Sequence, residues 1–345
     1  MTALTLTQRR DDLGRPLRTL PRKLSGSVLM PWSAVRTFSD PDDFAASIRA
    51  GEAELTVTER GQFSAEATRI EFHRLWIQRF SDSLPRVLHT ALVTRRRAMV
   101  QFRTAPGPHL SVSGLEVGPT NILRHSLSDD FHQRSSGAVS YAAMSLPVED
   151  MVGLGEAMVG TDLVPPHDTM SIVPSPPAMA RLQRLHAAAG CLAEDAPEIL
   201  AQPEAARSLE QALIEAMVDC LAAREVHENS LAQGQHAIVM RRFRRVVEEN
   251  PEHPLYIPEI CKAIGVSSRT LQACCHEHLG MGPKHYLLLR RMNLARQALC
   301  QAALDTTSIT EIATRYGFWQ LGRFAVEYQF LFGEPPSATL ARQFA

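Results

Sequence analysis

Apolar and polar residues change their period along this 345-residue chain, and the change divides it. From Glu52 to about Pro147 the texture is that of strands. LTVTER, EATRIEFHRLWIQRF, RVLHTALV, RAMVQFRT and HLSVSGLEV alternate, or run through β-branched and aromatic residues, as half-buried strands do. ERGQ, SDSLP, TAPGPH and VGPTN interrupt them, and ILRHSLSDDFHQRSSGAVSYAAMSLP adds further strand-like runs. Short strands at this spacing predict an antiparallel sandwich or barrel, with Trp76, Phe80, Phe102 and Tyr141 as core aromatics. Ahead of them, SDPDDFAASIRAG predicts a short helix, opened by Asp40 or Asp42 and closed by Gly51.

After Pro147 the helical period takes over. VEDMVGLGEAMVG is one helix, TDLVPPHDTMSIVPSPP a proline-rich connection, and AMARLQRLHAAAGCL and EAARSLEQALIEAMVDCLAARE two more helices. In the last, Leu209, Leu213, Ala216, Cys220 and Ala223 line one apolar face, suited to packing on the β-domain or on a second copy of the chain. HENSLAQGQ reads as a linker, and residues 236–345 are helical throughout. The expected organisation is α+β: a loose basic arm over 1–31, a domain over 32–230 that is β-rich to about 147 and then α-helical, and an all-α domain over 236–345.

Composition sharpens one point. The net charge is −1, so no overall field announces a nucleic-acid or membrane partner. The basic residues are nevertheless concentrated at the C-terminal end, with 13 Lys and Arg against 9 Asp and Glu from His236 onward. Six cysteines without a CxxC pair read as reduced core thiols. No stretch is long and apolar enough for a membrane span or a leader, so a cytoplasmic protein is expected. The β-rich stretch carries no P-loop, GxGxxG or GxSxG, and neither a catalytic set nor a cofactor is expected.

The C-terminal helices carry the most specific pattern. PEICKAIG opens at Pro258 and stops at Gly265, a turn follows, and SRTLQACCHEHL runs to Gly280 with Ser267 as its cap. Two short helices about a tight turn make a helix-turn-helix. In the second helix Leu271, Cys274, Cys275 and Leu279 share the core side, while Arg269, Gln272, Ala273 and His276 share the other. Arginine forks onto guanine, glutamine onto adenine, and alanine meets a thymine methyl. The arrangement then repeats: SITEIATRYG, a turn at FWQ, and LGRFAVEYQFLFG before Pro335–Pro336. PKHYLLLRRMNLARQALCQA joins the two as one helix, with Tyr286, Leu289, Met292 or Asn293, Arg296 and Leu299 along one flank. Two units so joined could enter successive major grooves, about 10 bp apart.

GVSSRTLQACCHEHLGMGPKHYLLLRRMNLARQAL followed by ITEIATRYGFWQLGRFAVEYQFLFGEPPSATL resembles the double helix-turn-helix domain of the AraC/XylS transcription regulators. The match covers about 100 residues, and its most telling elements are IxEIAxRYGF, the GRFxxxYxxLFGxxP run and the GMxPxxYLLLRRM junction. The resemblance implies a bacterial DNA-binding regulator, an activator whose N-terminal domain senses a small-molecule effector or dimerises. Its implied partners are double-stranded promoter DNA in the nucleoid, RNA polymerase and a second copy of the chain. By position, Arg269, Gln272 and Ala273 fall where family members reach bases, with Ser268 and His276 as secondary contacts. The matching positions of the second unit, Leu321, Gly322 and Val326, are less polar than the family pattern. Base reading is therefore expected from the first unit, and phosphate contact and shape fit from the second through Arg323 and backbone N–H groups, with Gln320 in the turn as a candidate phosphate neighbour. Arg323 can also pair with Glu327 at i+4. Trp319 reads as a phosphate neighbour or a core anchor, and Arg315 as a candidate polymerase contact. Arg241, Arg242, Arg244, Arg245, Lys284 and Arg290 read as solvated cations or as additions to the field on DNA.

The N-terminal part has no equally specific motif. His125 and His132 are its candidates for effector contact. As metal ligands of a cupin-like barrel they fit poorly, seven apart with Asp129 and Asp130 between them, and no metal is expected. A β-barrel metalloenzyme with a helical appendage is the alternative reading.

Overall fold

In the computed structural model the described residues are 31–49, 51–92, 96–127, 130–222, 226–227, 231–251, 254–302 and 308–341. The basic arm, apart from Pro31, lies outside them, as does Ala223.

Two antiparallel sheets, not closed into a barrel, form the N-terminal part. Its strands and first helices are β1 (Trp32–Phe38), α1 (Pro41–Ser47), β2 (Gly51–Val57), β3 (Ala65–Glu71), β4 (Trp76–Asp82), β5 (Arg86–Leu92), β6 (Arg97–Arg103), β7 (Leu110–Val112), β8 (Leu115–Glu116), β9 (Ile122–Arg124), β10 (Phe131–Ser135) and β11 (Val139–Pro147). There follow α2 (Val148–Val159), β12 (Met170–Ile172), α3 (Pro176–Asp195), α4 (Pro197–Leu200), α5 (Pro203–Leu221) and β13 (Val226–His227). One sheet runs β1-β3-β4-β11-β6-β9-β12-β13 and the other β2-β5-β10-β7-β8. The C-terminal part is α6 (Leu231–Glu248), α7 (Ile257–Ile264), α8 (Ser268–Leu279), α9 (Pro283–Gln301), α10 (Ile309–Arg315), α11 (Leu321–Phe332) and α12 (Pro336–Ala341).

Alternation along the strands assigns each side chain to a layer. In the larger sheet Ile70, Ile77, Val100, Phe102, Ala142 and Met144 face α2, α3 and α5, where Leu182, Leu213 and Met217 complete the core. Their alternates, among them Ala67, Phe80 and Tyr141, meet Leu55, Leu88 and Phe131 of the smaller sheet. Between the sheets Arg86 is fully buried and donates to Asp82 at 2.9 Å. Such a pair persists because each charge, once buried, requires the other.

The outer face of the smaller sheet carries the helical domain. Val87 enters the core built from Phe243, Ile260, Leu271 and Tyr286. The two guanidinium nitrogens of Arg290 reach both carboxylate oxygens of Glu54 at 2.6 Å. Arg296 bonds Asp40 at 2.6 Å. Asn293 donates to the Val57 carbonyl at 3.0 Å and accepts from its N–H at 3.1 Å, as a neighbouring strand would. His89 meets the Tyr286 hydroxyl at 2.7 Å, and His132 meets His278 at 3.1 Å. Helix α9 is thereby fixed to the sandwich along the flank where Tyr286, Leu289, Asn293 and Arg296 lie.

The structure corrects several expectations. Strand β1 precedes the first helix, which ends at Ser47 with Ile48 as its extended cap, and Gly51 opens β2 rather than closing the helix. The proline-rich connection contains β12, and α6 begins inside the stretch read as a linker. Arg290 is a buried ion-pair partner rather than a solvated or DNA-facing cation. Arg244 pairs with Asp130 and Glu248, facing the sandwich. Cys191 is exposed, whereas Cys220, Cys274 and Cys275 are buried. Trp76 is only partly buried, while Phe80, Phe102 and Tyr141 are core. The apolar face of α5, at Leu213, Ala216 and Cys220, packs within the chain.

Candidate nucleic-acid interface

The first unit is built as its sequence dictates. Helix α7 ends at Gly265 with φ +73°, a left-handed cap that a residue without a Cβ adopts at no steric cost. Ser267 then opens α8, its hydroxyl accepting from the Thr270 N–H at 3.1 Å. Leu271, Cys274, Cys275, His278 and Leu279 are buried. Ser268, Arg269, Gln272, Ala273 and His276 are all exposed on the opposite side, so the sequence-predicted set stands on one continuous face. Gln272 and His276 lie 3.2 Å apart through their nitrogens. Arg269 has no hydrogen bond or ion pair among the described residues, and its guanidinium is open to solvent.

Pro283 opens α9, which continues from the first unit to the second. There, Ser308 caps α10 by accepting from the Glu311 N–H at 3.1 Å. Gly317, at φ +78°, makes the turn, where a Cβ would collide with Pro254. Phe318 and Phe324 stack at 4.9 Å in the core, and Tyr328 donates to Thr339 at 2.8 Å, tying α11 to α12. Trp319 is 80% exposed, which corrects the reading of it as a core anchor; Phe318 fills that place. Gln320, Leu321, Gly322, Arg323 and Val326 are exposed on the outer side of α11. Arg323 donates to Glu327 at 2.7 Å, so its charge is partly spent before any phosphate arrives. Arg315 is exposed and held by Glu311 at 3.3 Å.

The two effector candidates are not brought together. His125 is buried near the mouth between the sheets, hydrogen-bonded to Gln101 at 3.0 Å. Burial pushes its pKa down to about 3, so the ring is neutral. His132 lies on the outer face of the smaller sheet between His89 and His278. Burial and the neighbouring His278 hold it well below the usual histidine value. Among the described residues no group of three or more His, Cys, Asp or Glu side chains could hold a metal ion, and no helix is long and apolar enough to cross a membrane. Sequence reading missed Glu54, His89, Tyr286 and Asn293 as a joint between domains. Their only local signal is polar character at positions the strand or helix period assigns to the inside.

A pair of helix-turn-helix units on a single connecting helix, each with an exposed second helix, defines the class of this region. Residues 260–342 match the sequence family described as a helix-turn-helix domain. The C-terminal region is thus a helix-turn-helix domain of the AraC type. The probable thc operon regulatory protein of Rhodococcus erythropolis is 33% identical over 149 residues, 42% of this chain and 44% of that protein. The XylDLEGF operon transcriptional activator 2 of Pseudomonas putida is 37% identical over 102 residues, 29% of this chain and 65% of that protein. The chain thus spans less than two thirds of either relative. Among solved structures, the AraC-like transcriptional activator CuxR is 16% identical with a TM-score of 0.41, covering 82% of this chain and all of that one.

Proposed function

We propose that this protein is a sequence-specific DNA-binding transcription regulator, an activator controlled by a small-molecule effector and acting by binding rather than catalysis. The observation that carries the reading is the exposed face of α8. There a guanidinium, a carboxamide, a methyl and an imidazole stand on a capped, well-packed helix that no other part of the described chain covers. These are the groups that read base edges in a major groove. The relatives named above are operon regulators, which supports the same reading.

In this account Arg269, Gln272 and Ala273 read bases, with Ser268 and His276 beside them. Gln320 and Arg323 place the second unit on phosphates, which orient without reading sequence. Division of the chain near residues 231–236 gives the sandwich the sensing role and the helices the DNA role. Because α9 joins both units and is itself held by the sandwich, an effector that changes the sandwich changes how the pair is presented, a shift between populated arrangements. Promoter DNA, RNA polymerase near Arg315 and a second copy are the partners, and the cytoplasmic nucleoid is the place.

Selection of random duplex DNA by the full-length protein tests this. The expected outcome is a motif of two boxes about one helical turn apart. Equal recovery of all sequences, with or without a small-molecule extract of cells, would contradict it.

A further inference from the structure

Where the two sheets part, a pocket is lined by Arg49, Arg69, Arg97, Trp76, Met99 and His125, among others. Three guanidinium groups meet there, and Glu71 is the one carboxylate in its lining. Glu71 is taken by Arg49. Arg49 and Arg97 lie 3.8 and 3.7 Å from the centre of the Trp76 ring. Among the described residues Arg97 bonds neutral oxygens, the carbonyls of Arg74 and Ser145 and the Ser145 hydroxyl. Arg69 has no hydrogen bond or ion pair among the described residues, although it is half-buried. The amide nitrogen of Gln78, beside it on β4, is buried without a partner, and so is Nδ1 of His125.

A half-buried cation with like charges beside it and no counter-charge of its own, as Arg69 is here, is costly in a folded protein. Burial, then repulsion from Arg49 and Arg36, lowers the pKa of Arg69; burial and Arg49, against an opposing pull from Asp150, bring that of Arg97 to about 10. An arrangement that leaves the Arg69 guanidinium and the Gln78 amide donor unpaired beside an apolar wall needs an occupant that supplies negative charge. Met99, Leu127, Ala143 and the Trp76 ring supply that wall. A bare inorganic anion would leave it wet, whereas a neutral apolar molecule would leave the cations unpaired.

We propose that this pocket binds a small organic carboxylate, its carboxylate on Arg69 and Gln78 and its apolar body against Met99 and Leu127. This deepens the proposed function and rests on it, since the carboxylate would be the effector. Arg69 supplies the fork that matches a carboxylate bidentately.

The test uses the full-length protein at low ionic strength, with phenylacetate and hexanoate as probes, phenylacetamide as the neutral counterpart of the first, and inorganic phosphate as the bare anion. Thermal melting and tryptophan fluorescence should show saturable binding of at least one carboxylate, with the amide and phosphate inert. Arg69→Gln should weaken that binding at least tenfold. It should leave the melting temperature of the free protein unchanged or raised, because it removes an uncompensated charge. The assignment is overturned if neither carboxylate saturates, if the amide or phosphate binds as well, if Arg69→Gln binds as tightly, or if that variant melts lower when free. DNA selection run on the same ligand-free preparation separates the two ideas. Sequence preference without carboxylate binding sinks the pocket alone, whereas absence of preference both in this preparation and after addition of the carboxylates and of a small-molecule extract of cells sinks the regulator reading.

Discussion

Arg269 and Arg323 are both exposed cations in the first turn of an outward-facing helix, and their neighbours give them different work. Arg269 has no hydrogen bond or ion pair among the described residues, so its fork is available to a base edge in the proposed function. Arg323 is held by Glu327 one helical turn on, and in the proposed function that carboxylate would repel phosphate. An exposed i,i+4 pair adds only about 0.3–0.5 kcal/mol to the helix, so little stability is lost when it is broken. Glu327→Gln should therefore strengthen binding to every DNA sequence by a few-fold and steepen its salt dependence, as anisotropy titrations at several salt concentrations would show. Weaker binding would mean that Glu327 orients Arg323 for its contact. At this scale the sequence was informative wherever residues act alone on a helix face. Helical spacing alone separated Arg269 and Gln272 from Leu271 and Cys275. It could not reveal that Trp319 points outward, because either neighbour in a Phe-Trp pair can fill a core.

Helices α7, α8, α10 and α11 were legible because their signals are local: Ser267 and Ser308 as caps, and Gly265, Gly280 and Gly333 in the left-handed conformation at the ends. Helix α9 was legible in extent but not in partner. Its buried flank carries Arg290, Asn293 and Arg296, and nothing within nineteen residues says what neutralises them. The answers lie more than two hundred residues away, at Glu54, Val57 and Asp40. Removing one member of such a pair leaves the other charge buried and unpaired, which costs several kcal/mol in full burial. Glu54 keeps some solvent, so Glu54→Gln should cost about 2–3 kcal/mol, read as an earlier transition in urea denaturation. An unchanged midpoint would mean that Arg290 finds enough in the Val247 carbonyl.

The described part of the molecule is a stack of layers: helices, the larger sheet, the smaller sheet, then the helix-turn-helix domain. An antiparallel sandwich or barrel was readable from strand alternation, but the last contact was not, since its partners lie far apart in sequence. That contact places three buried histidines together, His89, His132 and His278. Arg244 and Arg290 are the cations nearest His89, while Glu277 and His236 face His278. Burial chiefly lowers the pKa of His278 from 6.5 to about 4. A histidine held below its unfolded value adds stability that is complete above pH 6.5 and is lost as the pH falls toward 4. Between pH 7 and 5 the contact should weaken by about 2 kcal/mol from this group alone, seen as a lower melting temperature and a larger radius in solution scattering. His278→Gln should flatten that dependence, and an unaltered pH profile would remove the histidines from the account.

The central claim is that α8 reads bases, and one comparison tests it most directly. Wild type and Arg269→Ala are titrated against the selected site and against the same site with its contacted guanine replaced. The account predicts that wild type loses about 1–3 kcal/mol on the replacement. Arg269→Ala should bind the original site more weakly by a similar amount and be nearly indifferent to the change. If the variant discriminates between the two sites as well as wild type does, α8 does not read that base through Arg269, and the claim fails.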